Sequence, residues 1–165
     1  MEDKIYYLDG SILDYYDCNK KLHRLKGPAI EYANGYKAWY VEGKRHRLDG
    51  PAIECANGNK YWFIEDKRHR LDGPAVEYAN GHREWYVEGK RHRLDGPAIE
   101  CANGDKCWYV EGKRHRLDGP AVEYANGYKA RYVNGKYLTE KEFETHPKRK
   151  DYLASLAIEE LLDGK

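Results

Sequence analysis

Between His23 and Tyr137 the chain alternates apolar and polar residues in short runs, and each run ends on a turn signal. Ala29-Ile30-Glu31-Tyr32-Ala33 leads into Asn34-Gly35, and Tyr36-Lys37-Ala38-Trp39-Tyr40-Val41 leads into Glu42-Gly43. Period-two alternation on both sides of an Asn-Gly pair is the strongest short-range mark of a β-hairpin. Lys26-Gly27-Pro28 breaks the run before it, because proline cannot donate to a sheet ladder and favours a bulge or kink. A two-residue Asn34-Gly35 loop sets Ala33 opposite Tyr36, Glu31 opposite Ala38, Ile30 opposite Trp39 and Ala29 opposite Tyr40. Pro28, Ile30, Tyr32, Lys37, Trp39 and Val41 then share one face, expected to be the hydrophobic side with Ile30 and Trp39 as a cross-strand pair. Ala29, Glu31, Ala33, Tyr36, Ala38 and Tyr40 fall on the other face, expected to be half exposed.

The pattern restarts at His46, His69, His92 and His115, a period of 23 residues without insertion or deletion. A fixed period of this length marks a repeat architecture in which each unit buries its apolar face against the next. The copies at His46 and His92 share GPAIECANG and those at His69 and His115 share GPAVEYANG, so a 46-residue unit was duplicated. The expected fold is all-β: tandem 23-residue β-hairpin repeats stacked into an elongated sheet, with a short helical C-terminal cap. Residues 1–22, with Tyr6-Tyr7, Asp9-Gly10 and Tyr15-Tyr16, read as a degenerate N-terminal capping repeat, and 23–137 as five repeats.

At 138–165 the period changes. Thr139 and Glu142 are spaced as a capping box, and Leu138 and Phe143 as a hydrophobic staple. His146-Pro147 interrupts that helix, and Tyr152 to Leu162 forms a second one with Leu153, Leu156, Ala157 and Leu161 on one stripe and Gly164 past its end. An open sheet needs its last edge covered, which a helical cap supplies. Arg131, standing where other copies carry Trp, predicts a local change of packing.

Composition narrows the function classes. In 165 residues, 29 basic side chains meet 28 acidic ones for a formal charge of +1, which argues against a whole-protein grip on nucleic acid or anionic lipid. The 16 Tyr and 4 Trp argue against disorder despite 35% charged residues. The start, Met1-Glu2-Asp3-Lys4, lacks the regions of a signal peptide, and no apolar run approaches a membrane span, so a cytoplasmic location is expected. Cys18, Cys55, Cys101 and Cys107 form no C-x-x-C pair.

Tyr40-Val41-Glu42-Gly43-Lys44-Arg45-His46, followed by Gly50 and Asn57-Gly58, resembles the membrane occupation and recognition nexus (MORN) repeat. The resemblance covers about 115 residues from His23 to Tyr137. The departure is Arg47-Leu48-Asp49-Gly50-Pro51, which stands where the family has Gly-x-Gly. This variant is similar to MORN-like repeats of bacterial, bacteriophage and large-DNA-virus proteins. The resemblance implies stacked hairpins in a curved sheet used for scaffolding, protein binding or lipid association, without catalysis or a cofactor.

Regular stacking constrains the candidate chemistry. Two strands per repeat put equivalent residues about 9–10 Å apart, so the column His23, His46, His69, His92 and His115 cannot share a metal between neighbours. Cys55 and Cys101 stand two repeats apart, beyond disulfide reach. Glu31, Glu54, Glu77, Glu100 and Glu123 read as a solvated stripe, with no nucleophile–base constellation beside them. A basic ladder runs through Lys44, Arg45 and Arg47; Lys67, Arg68 and Arg70; Lys90, Arg91 and Arg93; and Lys113, Arg114 and Arg116. With aromatic neighbours it offers a rival reading as a nucleic-acid or anionic-membrane surface, although acidic residues in each copy offset it.

The copies differ at two columns: Tyr36, Asn59, His82, Asp105 and Tyr128, and Ala38, Tyr61, Glu84, Cys107 and Ala130. With the adjoining aromatics Tyr40, Phe63, Tyr86 and Tyr109, these positions are the expected partner-binding face, since variation on a regular scaffold tunes a binding surface. The expected function is a non-enzymatic scaffold that binds a protein partner, in its sharpest form a virus- or bacterium-encoded inhibitor or antitoxin-like factor acting on a host defence protein. Self-association into a homo-oligomer is the other partner class considered.

Overall fold

The computed structural model describes residues 3–6, 12–17 and 19–163, with side chains described at 17 and 19–163. Tyr7, the Asp9-Gly10 turn, Cys18 and Gly164 lie outside them. Each repeat builds two hairpins. In the first copy Ile30–Tyr32 pairs with Lys37–Ala38, and Tyr40–Val41 pairs with Lys44–Arg45.

The Asn34-Gly35 loop holds three residues, not two. Gly35 N–H donates to the Tyr32 carbonyl, Tyr32 N–H donates to the Tyr36 carbonyl, and Asn34 Oδ1 accepts from Tyr36 N–H. Gly35 sits at φ +91° while Asn34 stays out of the left-handed region, so a type I turn closes through a glycine bulge. The register is therefore Ile30 opposite Ala38 and Glu31 opposite Lys37. A one-residue slip exchanges faces. Ile30, Tyr32, Tyr36 and Ala38 share one face, Glu31 and Lys37 the other, and the Ile30–Trp39 pair expected from the sequence does not form. The core therefore draws on both expected faces: Val76 and Val122, in the Ile30 column, are buried, and so are Ala38, Glu84, Cys107 and Ala130, whose column was expected to be half exposed.

The second hairpin keeps the two-residue loop. Glu42 and Gly43 both take positive φ, +51° and +79°, the mirror-image turn that matches strand twist. Trp39 forms the corner between the hairpins. Its N–H donates to the Ala52 carbonyl and its own carbonyl accepts from His46 N–H. In the fifth copy, where Arg131 replaces Trp, the corner is gone and Lys129–Val133 runs as one strand onto Lys136–Leu138.

The chain forms two compact units, Met1–Lys90 and Arg91–Lys165. In the first, Asp3–Tyr6, Ile12–Tyr16, Ile30–Tyr32, Lys37–Ala38, Ile53–Glu54, Lys60–Tyr61, Val76–Glu77 and Arg83–Glu84 follow one another across an antiparallel sheet. The N-terminal segment adds a hairpin to that sheet, with Ile12 opposite Tyr32. Ala75, Val76 and Tyr86 form its core with Tyr61, Trp62 and Tyr78 packed against them. In the second unit Ile99–Glu100, Lys106–Cys107, Val122–Glu123, Lys129–Val133 and Lys136–Leu138 are consecutive, over a core of Cys107, Val122 and Ala130.

Two helices close the second unit, α1 (Glu140–Glu144) and α2 (Pro147–Leu162). The Thr139–Glu142 capping box is formed, and Leu138 and Phe143 are buried with Val133. Pro147 opens α2 at its first turn, where its missing N–H costs nothing. The expected inward stripe does not hold: Leu153, Ala157 and Leu161 are exposed, and Arg149, Tyr152 and Leu156 are the partly buried positions.

Candidate binding surface

The junction between repeats is fastened by two arginines from opposite sides. Arg47 lays its guanidinium over Trp39 of the preceding copy at 4.0 Å, and Arg70 does the same over Trp62 at 4.1 Å. Nε of Arg70 donates to Asp72, and Nη1 donates to the Pro74 carbonyl and to Glu77 Oε1. Arg93 and Arg116 make the same three contacts with Asp95, Pro97 and Glu100, and with Asp118, Pro120 and Glu123. A Cβ on Gly73 would stand 2.9 Å from Arg70 Cζ, so the glycine is required by the close approach of the guanidinium. The other column reaches forward: Arg45 stacks on Phe63 at 4.0 Å and binds Asp66, and Arg68 lies over Tyr86. In the second unit Arg91 lies over Tyr109, and Arg114 lies over Tyr132 while donating to Tyr109 Oη.

The arginines of the basic ladder are therefore internal fasteners. Lys44 faces Glu65 and Lys67 faces Glu88, so these two lysines carry outward charge beside an acid. The Glu54 column is also reassigned, from solvated stripe to the acceptor of the arginine seven residues earlier. Bonding to Arg47, Arg70, Arg93 and Arg116 holds the carboxyls of Asp49, Asp72, Asp95 and Asp118 below the usual carboxylate range.

The histidines act at turns. Nδ1 of His23, His69, His92 and His115 accepts the N–H of Glu42, Glu88, Glu111 and Asn134, the first loop residue of the second hairpin. Burial pulls the His115 imidazole below its ordinary value, against the raising effect of the Asn134 contact. Cys55, Cys101 and Cys107 are not joined in disulfides, and burial pushes the Cys107 thiol up.

The candidate binding residues divide. Ala38, Phe63, Glu84, Tyr86 and Cys107 are buried, so the folded chain does not offer them to a partner. Tyr40, Tyr61 and Tyr109 are half buried beneath the arginines and tyrosines around them. Glu84 breaks the apolar column with a closed network: Tyr86 Oη donates to Oε2 at 2.7 Å, and His82 Nε2 lies 3.0 Å from Oε1. What remains accessible is the mouth of the first hairpin, where Tyr36, Asn59, His82, Asp105 and Tyr128 stand opposite Tyr32, Cys55, Tyr78, Cys101 and Tyr124.

At the mouth the 46-residue period acquires a physical form. Odd copies carry aromatic pairs: Tyr32–Tyr36 stacked at 5.2 Å, Tyr78–His82 edge-on at 5.2 Å, and Tyr124–Tyr128 at 5.4 Å. Even copies carry a polar tether instead. Asn59 Oδ1 accepts from Ala79 N–H, and Asp105 Oδ1 from Ala125 N–H, each fixing the loop of the next hairpin. Sequence periodicity locates these positions, but only the register separates pair from tether.

One row of residues escapes a reading by alternation. Leu25, Leu48, Leu71 and Leu94 are 73–80% exposed, one in each Arg-Leu-Asp-Gly-Pro-type loop. An apolar residue at a fixed offset inside a polar turn, with no strand to bury it, is the signal that marks them. Each borders a groove floored by the corner tryptophan, as where Leu48, Trp62, Ile64 and Leu71 line one recess. No family model and no curated protein matches the chain.

Proposed function

We propose that the chain is a non-enzymatic repeat scaffold that binds a protein partner through the aromatic pairs at its hairpin mouths. The observation that carries this reading is the recurrence of ring pairs at the hairpin mouth of every second repeat, at Tyr32–Tyr36, Tyr78–His82 and Tyr124–Tyr128. Paired tyrosines offer large, rigid contact area with little side-chain entropy to lose, and tyrosine is enriched where interfaces are tight. Two repeats at two strands each place the first two pairs about 19 Å apart, within the footprint of an ordinary protein interface. Phosphate tracking along the basic ladder has less to support it, because its arginines are already engaged by rings and carboxylates.

The test is affinity capture with the full chain against the variant Tyr32→Ser, Tyr36→Ser, Tyr124→Ser, Tyr128→Ser. Loss of a captured protein with an unchanged melting transition supports the reading. Equal capture by both chains overturns it. A captured species that dissociates steeply with added salt favours the lysine edge instead.

A further inference from the structure

The histidine column is not uniform in what stands beside it. In the third and fourth copies Nδ1 accepts a loop N–H and also meets a carboxylate, His69 with Glu88 Oε1 and His92 with Glu111 Oε1, each at 2.9 Å. A proton arriving at that nitrogen is donated to the glutamate, and the turn keeps a bonded partner. In the fifth copy the same loop position holds Asn134, whose N–H is accepted by His115 Nδ1 at 3.1 Å and whose side chain carries no charge. One nitrogen cannot accept that N–H and carry a proton at once.

The other groups around His115 do not take the glutamate's place. Asp95 and Asp118 border the same recess, and Arg93 and Arg116 bind them. Lys113 of the preceding copy packs beside Gly135, the next residue of the loop. From the helical end come Tyr152, which borders the recess, and Lys148 and His146. Burial lowers the His115 imidazole first, and the charges of Lys148 and His146 lower it further. Nδ1 of His146 is itself buried without a hydrogen-bond partner. α2 has no acid in its first turn, so its N-terminal dipole adds to the positive charge.

The loop at Asn134 also supports more than its own hairpin. It turns Lys129–Val133 onto Lys136–Leu138, and Val133 and Leu138 of those strands enclose Phe143 of α1. Arg149 of α2 stacks on the same ring and donates to the Leu117 carbonyl. Earlier loops are followed by another repeat, whereas this one carries the helices. We propose that protonation of His115 releases the helical end from the fifth repeat while the turns at His69 and His92 hold. The fold favours the neutral ring, so the joint is held fully above about pH 6.5 and weakens as pH falls below it. The joint is separate from the hairpin mouths, so its failure leaves the proposed partner binding untouched.

Amide exchange at pH 7 and pH 5, corrected for the intrinsic rates, tests the joint on the full chain. Protection across α2 and at Gly135 is expected to fall severalfold at pH 5, with a ceiling of about 30-fold for one histidine of ordinary value near 6.5 held neutral by the fold. Protection at Gly89 and Gly112, whose N–H groups donate across the loops beside His69 and His92, is expected to stay. Asn134→Glu gives His115 the carboxylate of the other copies, and the loop accommodates it, since Glu88 and Glu111 take φ +48° and +50° where Asn134 takes +53°. That variant is expected to keep α2 protected at both pH values, as is His115→Gln, which retains an acceptor that does not titrate. Equal protection of α2 at both pH values in the natural chain overturns the proposal. So does an acid response that survives in both variants, or a loss at Gly89 and Gly112 as large as that in α2.

Discussion

At the loop flank of each repeat, His-Arg-Leu-Asp-Gly-Pro-Ala recurs unchanged in copies two to five, while the mouth of the first hairpin reads Tyr36, Asn59, His82, Asp105 and Tyr128. The two regions are close along the chain, yet the physical demands differ. Nε and Nη1 of Arg70 donate to Asp72, Glu77 and the Pro74 carbonyl, its plane has a ring beneath it, and the glycine beside it has no room for a Cβ. A change at any member leaves another unsatisfied. At the mouth a side chain meets water, one facing ring or one loop amide, and several residue types meet that demand.

The strongest way to break this contrast is Arg70→Ala. It strips the cover from Trp62 and leaves Glu77 and the Pro74 carbonyl without their donor, at a cost of about 2–4 kcal/mol in a urea melt. Arg70→Lys is expected to recover little of that, since one ammonium cannot reach both acceptors while lying flat on an indole. A cost below about 0.5 kcal/mol, the range of an ordinary surface substitution, would deny the flank its structural role.

The buried column tests whether variation alone marks a surface. Glu84 stands where other copies have Ala38, Tyr61, Cys107 and Ala130, and it is buried like most of them. Its replacement by Ala leaves Tyr86 Oη and His82 without their carboxylate and should cost about 1–3 kcal/mol. Glu84→Gln keeps an acceptor and is expected to cost less. A neutral Glu84→Ala would mean that this column tolerates anything its neighbours can enclose.

Much of the fold was legible because its signals are local. The 23-residue period, the Glu42-Gly43 reversal and the Thr139–Glu142 box each depend on residues a few places apart, and all three form. The faces were not, because they hang on one loop residue. Asn-Gly fits a two-residue mirror-image turn and a three-residue loop with a glycine bulge equally well, and the choice turns the strand after the loop over relative to the strand before it. The role of Arg47 was hidden for another reason: its ring belongs to the preceding copy and its carboxylate lies seven residues on, a convergence that no one-dimensional pattern displays.

Acid should loosen the flank in two stages. The His115 imidazole is depressed in the fold, so below its unfolded value near 6.5 the unfolded chain binds more protons and stability falls with pH. The four flank aspartates are depressed too; their contribution is present above about pH 4 and is lost as pH falls through their folded values. Urea midpoints measured from pH 7 to 5 should slope downward in the natural chain and flatten in His115→Gln. A slope that survives the substitution would place the titrating group elsewhere.

The smallest expected effect sharpens the comparison from the other side. Tyr128 is 52% exposed, stacked only on Tyr124 at 5.4 Å, and Tyr128→Ser removes that ring contact and little else. The loss should be under about 1 kcal/mol, the scale of a cross-strand aromatic pair. Asp105→Ala provides the control in the neighbouring copy, because it removes the acceptor of Ala125 N–H and so acts on the position of a loop rather than on a ring. If the odd copies present and the even copies tether, amide exchange at Ala125 should quicken in Asp105→Ala and stay unchanged in Tyr128→Ser. Faster exchange in both would mean that ring pairs and tethers share one structural task, and that the mouth is part of the fastening rather than a surface set free by it.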